Sequence, residues 1–210
     1  MDGAKDLARK MLNVINVDDS GFLGAVAKGF ISLPVDLIYL GRDFIDADHR
    51  KENLDDKFRI AQLIKYTPLN KKTIEKVLNV FIDDFISKID LRSLGVKMGG
   101  NSVGGMFFSQ WTGIKLGYVI SERAMTALFA GTLIGSLLTI GAESSRAIYT
   151  ARYLCEENPK AYYKLKDMGD LDLLYFLVED TVEPFEQACQ IAEYDKEEFD
   201  DICKYFIGGL

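Results

Sequence analysis

The chain has 210 residues, 48% apolar and 27% charged, which is enough for one domain with a real hydrophobic core. A formal net charge of −7 argues against general nucleic-acid binding, which needs a basic face. Three cysteines without a CxxC pair and a single histidine argue against a disulfide framework or a zinc site.

The charge is unevenly spread. From Glu156 to Leu210 there are 15 acidic and 5 basic residues, a net −10, so the first 155 residues carry +3. Met1 to Asp19 lacks the apolar run of a secretory signal peptide. The expectation is therefore synthesis in a reducing cytoplasm, with any export by another route.

In chain order, residues 4–16 place Leu7, Met11, Leu12 and Ile15 at helical spacing and predict a short amphipathic helix. Residues 21–45 are mostly apolar, and Pro34 divides them into helices over 20–31 and 34–46. Residues 47–66 predict a charged helix with Leu54, Phe58, Ala61, Leu63 and Ile64 on one inward face. Residues 71–89 carry Ile74, Val77, Leu78, Phe81, Ile82, Phe85 and Ile89 at 3- and 4-residue steps, a strong amphipathic pattern. After Ala142, a polar helix is expected over 143–157, then a helix opening at Asn158-Pro159 and ending at Gly169. Asp170 is placed to cap a short helix over 171–179, Pro184 to open another, and 195–206 to form the last. No segment shows sustained period-2 alternation.

Residues 94–142 differ in kind. Ala124 to Ala142 is 19 residues without a charge, and Met98 to Ile114 is 17. A membrane helix needs about 20 such residues. Ser121-Glu122-Arg123 reads as a polar turn between two antiparallel arms. Small residues recur every fourth position, at Gly105, Ser109, Gly113, Gly117 and Ser121 in the first arm and Ala127, Gly131, Gly135 and Thr139 in the second. That spacing lays a smooth stripe along one helix face and lets backbones approach closely. Trp111 lies among the aromatic residues of the first arm and suits either a core or an interfacial belt. Asn101, Gln110 and Lys115 are costly in lipid unless paired.

These features predict an all-α fold, one domain over 1–210, as a compact helical bundle around a glycine-rich apolar helical hairpin at 94–142. No cofactor, metal or catalytic constellation is expected. His49 stands alone in a charged stretch, and Asp170-x-Asp172 and Asp200-Asp201 read as caps or solvated faces.

The plan of apolar arms 98–120 and 124–142 with amphipathic helices such as 71–89 around them resembles pore-forming colicin domains and other small membrane-active bacterial toxins. The resemblance implies insertion of the hairpin into the inner-membrane lipid bilayer of a target cell. One departure is that 68 residues follow Ala142, whereas colicin hairpins lie near the C-terminal end of the domain. Two other readings of the residues stay open. One is an immunity or adaptor protein that binds a basic protein partner through Glu197, Glu198, Asp200 and Asp201. The other is a constitutive inner-membrane protein with two or three spans.

Overall fold

A computed structural model describes residues 2–15, 50–67, 70–91, 94, 113–131 and 142–210. The helices expected at 20–31 and 34–46, and most of both apolar arms, lie outside these residues. The elements among the described residues are all helices: α1 (Asp2–Ile15), α2 (Arg50–Tyr66), α3 (Lys71–Lys88), α4 (Gly113–Gly131), α5 (Ala142–Glu157), α6 (Pro159–Asp167), a 3-10 helix (Leu171–Leu177), α7 (Glu179–Tyr194) and α8 (Lys196–Gly208). Among them no helix is long and apolar enough to cross a membrane.

The chain divides into two compact units, each assembled from separated stretches of sequence. The first comprises 1–17, 81–127 and 180–210. Its centre is four phenylalanines with no exposed surface: Phe85 of α3, Phe185 of α7, and Phe199 and Phe206 of α8. Phe85 meets the other three edge-on, with ring centroids 5.3, 5.9 and 5.8 Å away. Edge-to-face pairs set the positive rim of one ring against the negative face of the next, worth about 0.5–1.5 kcal/mol beyond burial. Phe199 and Phe206 are seven residues apart, two helical turns, so both fall on one face of α8.

Helix α1 buries Ala4, Leu7, Ala8, Met11 and Ile15, the face its spacing predicts. It runs in the same direction as α8, with Gly3 beside Glu198 and Leu12 beside Gly209. Helix α4 buries Leu116, Ile120, Ala124 and Met125. This apolar face continues without a break through Ser121-Glu122-Arg123, so the expected turn is instead the middle of a continuous helix. None of the three residues is a helix breaker, and neither Gly nor Pro interrupts the backbone there.

The second unit comprises 18–80 and 128–179. Within it α5 packs against α2, α6 and the 3-10 helix. Its interior includes Ala147, Ile148, Leu154, Leu165, Leu171, Leu174 and Val178. Asn158 caps α6 by accepting a hydrogen bond from the Ala161 N–H at 3.1 Å, with Pro159 opening the helix.

Two expectations are corrected near residue 170. The segment expected as an α-helix over 171–179 is a 3-10 helix ending at Leu177, and Asp170 at its N-cap makes no side-chain capping bond. Pro184 lies inside α7 instead of opening it. It is the sixth residue of the helix, past the four whose N–H groups lack helical partners, so one backbone bond is forgone, and α7 buries Val182, Phe185, Ala188 and Cys189 across it.

Truncating Phe85 removes the ring that the other three share. Phe85→Ala should lower unfolding free energy by about 3–5 kcal/mol, measured by denaturant titration. Phe85→Leu should cost less than half as much, because it refills most of the volume.

Candidate functional site: an arginine-carboxylate cluster and the helix that enters the apolar stretch

Two features of the described residues stand out chemically. The first is a charge cluster in the second unit. Arg59 on α2 donates from Nη1 to Asp56 Oδ1 at 2.9 Å, from Nε to Asp170 Oδ1 at 2.7 Å, and from Nη2 to both Asp172 oxygens at 2.7 and 2.8 Å. Arg152 on α5 donates to Asp56 Oδ2 at 3.0 Å. The Asp172 side chain has no exposed surface.

Local backbone geometry sets this up. Gly169 has φ +99° and Asp170 φ +59°, both left-handed. Glycine reaches that region freely, and Asp tolerates it better than most residues. The reversal after α6 brings the Asp170 and Asp172 carboxylates to the same guanidinium.

Burial alone would lower the pKa of Arg59, but its bonds to Asp172, Asp170 and Asp56 outweigh burial and raise it. Burial raises the Asp172 pKa above its ordinary value, opposed by the bonds from Arg59. Lys166 is also raised, chiefly through the hydrogen bond it donates to Tyr162 Oη at 3.1 Å, against a smaller desolvation effect.

Every carboxylate here is engaged by a guanidinium, and Asp172 is held by two oxygens. Such a cluster ties α2, α5 and the 3-10 helix together. Among the described residues no group of acidic, His or Cys side chains could hold a metal ion. Cys189 and Cys203 are buried, and burial pushes both thiols well above the ordinary range, which suppresses the thiolate needed for attack.

The cluster overturns the expected orientation of α2. Leu54 and Phe58, expected inward, are 68% and 65% exposed, and Ala61 is also exposed. Asn53 and Leu63 are buried instead, while Asp56 and Arg59 turn toward the ion cluster. Asp170 and Asp172, expected as a cap and a solvated face, are ion-pair partners. Nothing local in the sequence points from Asp170 to an arginine 111 positions away.

The second feature is α4, whose residues 113–127 belong to the first unit. Glu122 is exposed, while Arg123 is half-buried and donates from Nη2 to a main-chain oxygen of Leu210 at 2.9 Å. Gly117 faces Ile86, and an added Cβ would stand 3.7 Å from it, an ordinary contact. The backbone therefore does not need glycine there to fit. Gly113 and Gly131 are the first and last residues of α4, and Ala127 is half-buried. Gly105, Ser109, Trp111, Gly135 and His49 lie outside the described residues.

The acidic residues of α8 do not form one open face. Glu197 is exposed, Glu198 and Asp201 are partly covered, and Asp200 is buried at 8% exposure. Asp200 pairs with Lys196 at 3.8 Å. Asp195 caps the helix through the Glu198 N–H at 2.9 Å, and Glu197 and Glu198 in the first turn complement the helix dipole.

Removing one member of the buried pair should be costly and removing both cheap. Arg59→Met should destabilise by about 3–5 kcal/mol, and Arg59→Met with Asp172→Leu should recover most of it, read by denaturant titration. The pH dependence has a definite sign. A carboxylic acid with a raised pKa in the folded state stabilises the fold most below its unfolded value of about 3.8, and that contribution fades as pH rises through the folded value. The stability of wild type relative to Asp172→Asn should therefore increase as pH falls from 7 toward 4.

No family model, curated protein or solved structure matches this chain.

Proposed function

We propose that the protein is a membrane-acting bacterial effector, of the pore-forming toxin kind, whose uncharged segment enters the bilayer of a target cell. The observation that carries this is a continuity. Helix α4 runs on through Arg123 into the first eight of the 19 uncharged residues Ala124 to Ala142, and its own apolar residues Leu116, Ile120, Ala124 and Met125 are buried. A stretch of that length meets the minimum for a bilayer. Since α4 continues through Glu122 and Arg123, the segment to enter lipid begins after Arg123, and the two charges stay at the surface.

The measurement is dye release from anionic vesicles at pH 7 and pH 5. Leakage should be faster at pH 5, where the acidic C-terminal region is less repelled by anionic lipid. Gly131→Leu and Gly135→Leu should each slow leakage at least several-fold, since a bulky side chain interrupts the small-residue stripe. A protein that leaves vesicles intact at both pH values does not act this way.

A second reading has its own observation. From Asp180 to Leu210 nine residues are acidic and two basic, and Glu183, Glu193 and Glu197 are exposed. On that reading α7 and α8 bind a basic protein, as an immunity or adaptor protein would. Calorimetry against a Lys/Arg-rich peptide should then show binding that weakens with salt and is lost in the triple Gln variant of those glutamates.

A further inference from the structure

We propose that the outward face of α2, the apolar stripe of Leu54, Phe58 and Ala61 with the lysines beside it, is the surface by which the second unit adsorbs to an anionic lipid bilayer. The inference deepens the membrane-acting reading above and rests on it for lipid as the target.

Helix α2 is turned against the usual amphipathic logic. Asp56 and Arg59 face the protein, while Leu54, Phe58 and Ala61 face water. Positions 54, 58 and 61 follow four- and three-residue steps, so the three side chains form one stripe on one helix face. The orientation is fixed from the other side. Arg59 is bound to Asp56, Asp170 and Asp172, so rolling the stripe inward would strand a buried charge. An apolar stripe held toward solvent by charged contacts behind it marks a binding surface.

Charge selects the occupant. At about 100° per residue, Lys51, Lys57 and Lys65 each fall within about 60° of Leu54, and all are exposed. The exposed acidic residues of the helix, Glu52 and Asp55, fall about 100° or more away, on one side only. Lys65 Nζ also lies 5.0 Å from the ring centre of the exposed Tyr66, which sets an amphipathic aromatic next to the cation. A few apolar tips flanked by lysines suit the headgroup boundary of a bilayer. The tips enter the acyl edge, the lysine stems lie along it, and the ammonium groups meet anionic headgroups. A second copy of the chain fits this face less well. Self-pairing would set lysines against lysines, and a stable dimer needs about 20–30 residues a side, far more than the stripe offers.

The test uses the full-length protein in four forms: wild type, Leu54→Gln with Phe58→Gln, Lys51→Gln with Lys65→Gln, and Tyr194→Ser, which removes an exposed aromatic from α7. Glutamine keeps helix propensity, and none of these side chains belongs to the ion cluster. Co-sedimentation is measured with phosphatidylglycerol–phosphatidylcholine vesicles and with phosphatidylcholine alone, beside dye release and gel filtration. The leucine-phenylalanine variant should bind the anionic vesicles at least ten-fold more weakly. The lysine variant should lose about five-fold per charge there and little on phosphatidylcholine. Tyr194→Ser should bind as wild type does. Adsorption unchanged in both double variants overturns the docking face. Wild-type adsorption that is equal on the two vesicle types overturns the anionic-lipid assignment. A wild-type dimer that Leu54→Gln with Phe58→Gln makes monomeric gives the stripe to a second copy and overturns the proposal. Adsorption that depends on the stripe, without leakage from any form, upholds the docking face and overturns insertion. Leakage without stripe-dependent adsorption does the reverse.

Discussion

Burying an arginine guanidinium is tolerable only when most of its donors find acceptors, and much of the second unit is arranged around that demand. Arg59 directs its guanidinium nitrogens at three carboxylates, one of them wholly buried. Meeting that demand orients α2 with its polar side inward. It holds the left-handed turn at Gly169-Asp170 against the start of the 3-10 helix and brings Arg152 of α5 to the far oxygen of Asp56. The six residues Leu171 to Phe176 are then buried along the 3-10 helix. A buried ion cluster adds little net stability compared with apolar packing, but losing a single partner strands an uncompensated charge. Its effect is to penalise alternative packings of α2.

The first unit follows a different logic. Phenylalanine burial supplies the energy, and Phe85 supplies the geometry by touching rings from both α7 and α8. Interlocking aromatic edges tolerate few alternative registers, so α3, α7 and α8 are set relative to one another within that unit. Helices α1 and α4 join this core with large side chains of their own, Met11, Ile15, Leu116, Ile120 and Met125, all buried.

These two arrangements bear on function in opposite ways. A protein that acts on a membrane must be water-stable and still able to release an apolar segment. The phenylalanine core supplies stability and the ion cluster fixes how α2 packs, and neither includes a residue of the uncharged stretch. At the edge of that stretch the half-buried Arg123 donates to a main-chain oxygen of Leu210. Acid does not unlock the buried carboxylate, because protonating Asp172 favours the folded state. In the proposed mechanism, the pH sensitivity therefore comes from the acidic surface and its approach to lipid.

What the sequence determined by itself was the all-helical class and the inward face of every helix with a clean 3- and 4-residue apolar pattern. Helix α1 with Met11 and Ile15 and helix α3 with Leu78, Ile82 and Phe85 are as their spacing predicts, because apolar periodicity is a local property that any core will use. The cap at Asn158-Pro159 was legible for the same reason. Helix α2 was misread because its apolar side chains are fewer and its orientation is decided by Arg59, whose partners at 170 and 172 only the folded chain brings near. The continuity of α4 was missed because charged residues between apolar runs resemble a turn, while helix propensity and an unbroken buried face favour continuation. The acidic residues of α8 were visible as charge, but only tertiary packing decided that Asp200 is buried while Glu197 meets water. Charge is written residue by residue, but burial and pairing arise from contacts across the whole chain, and those exist only once it has folded.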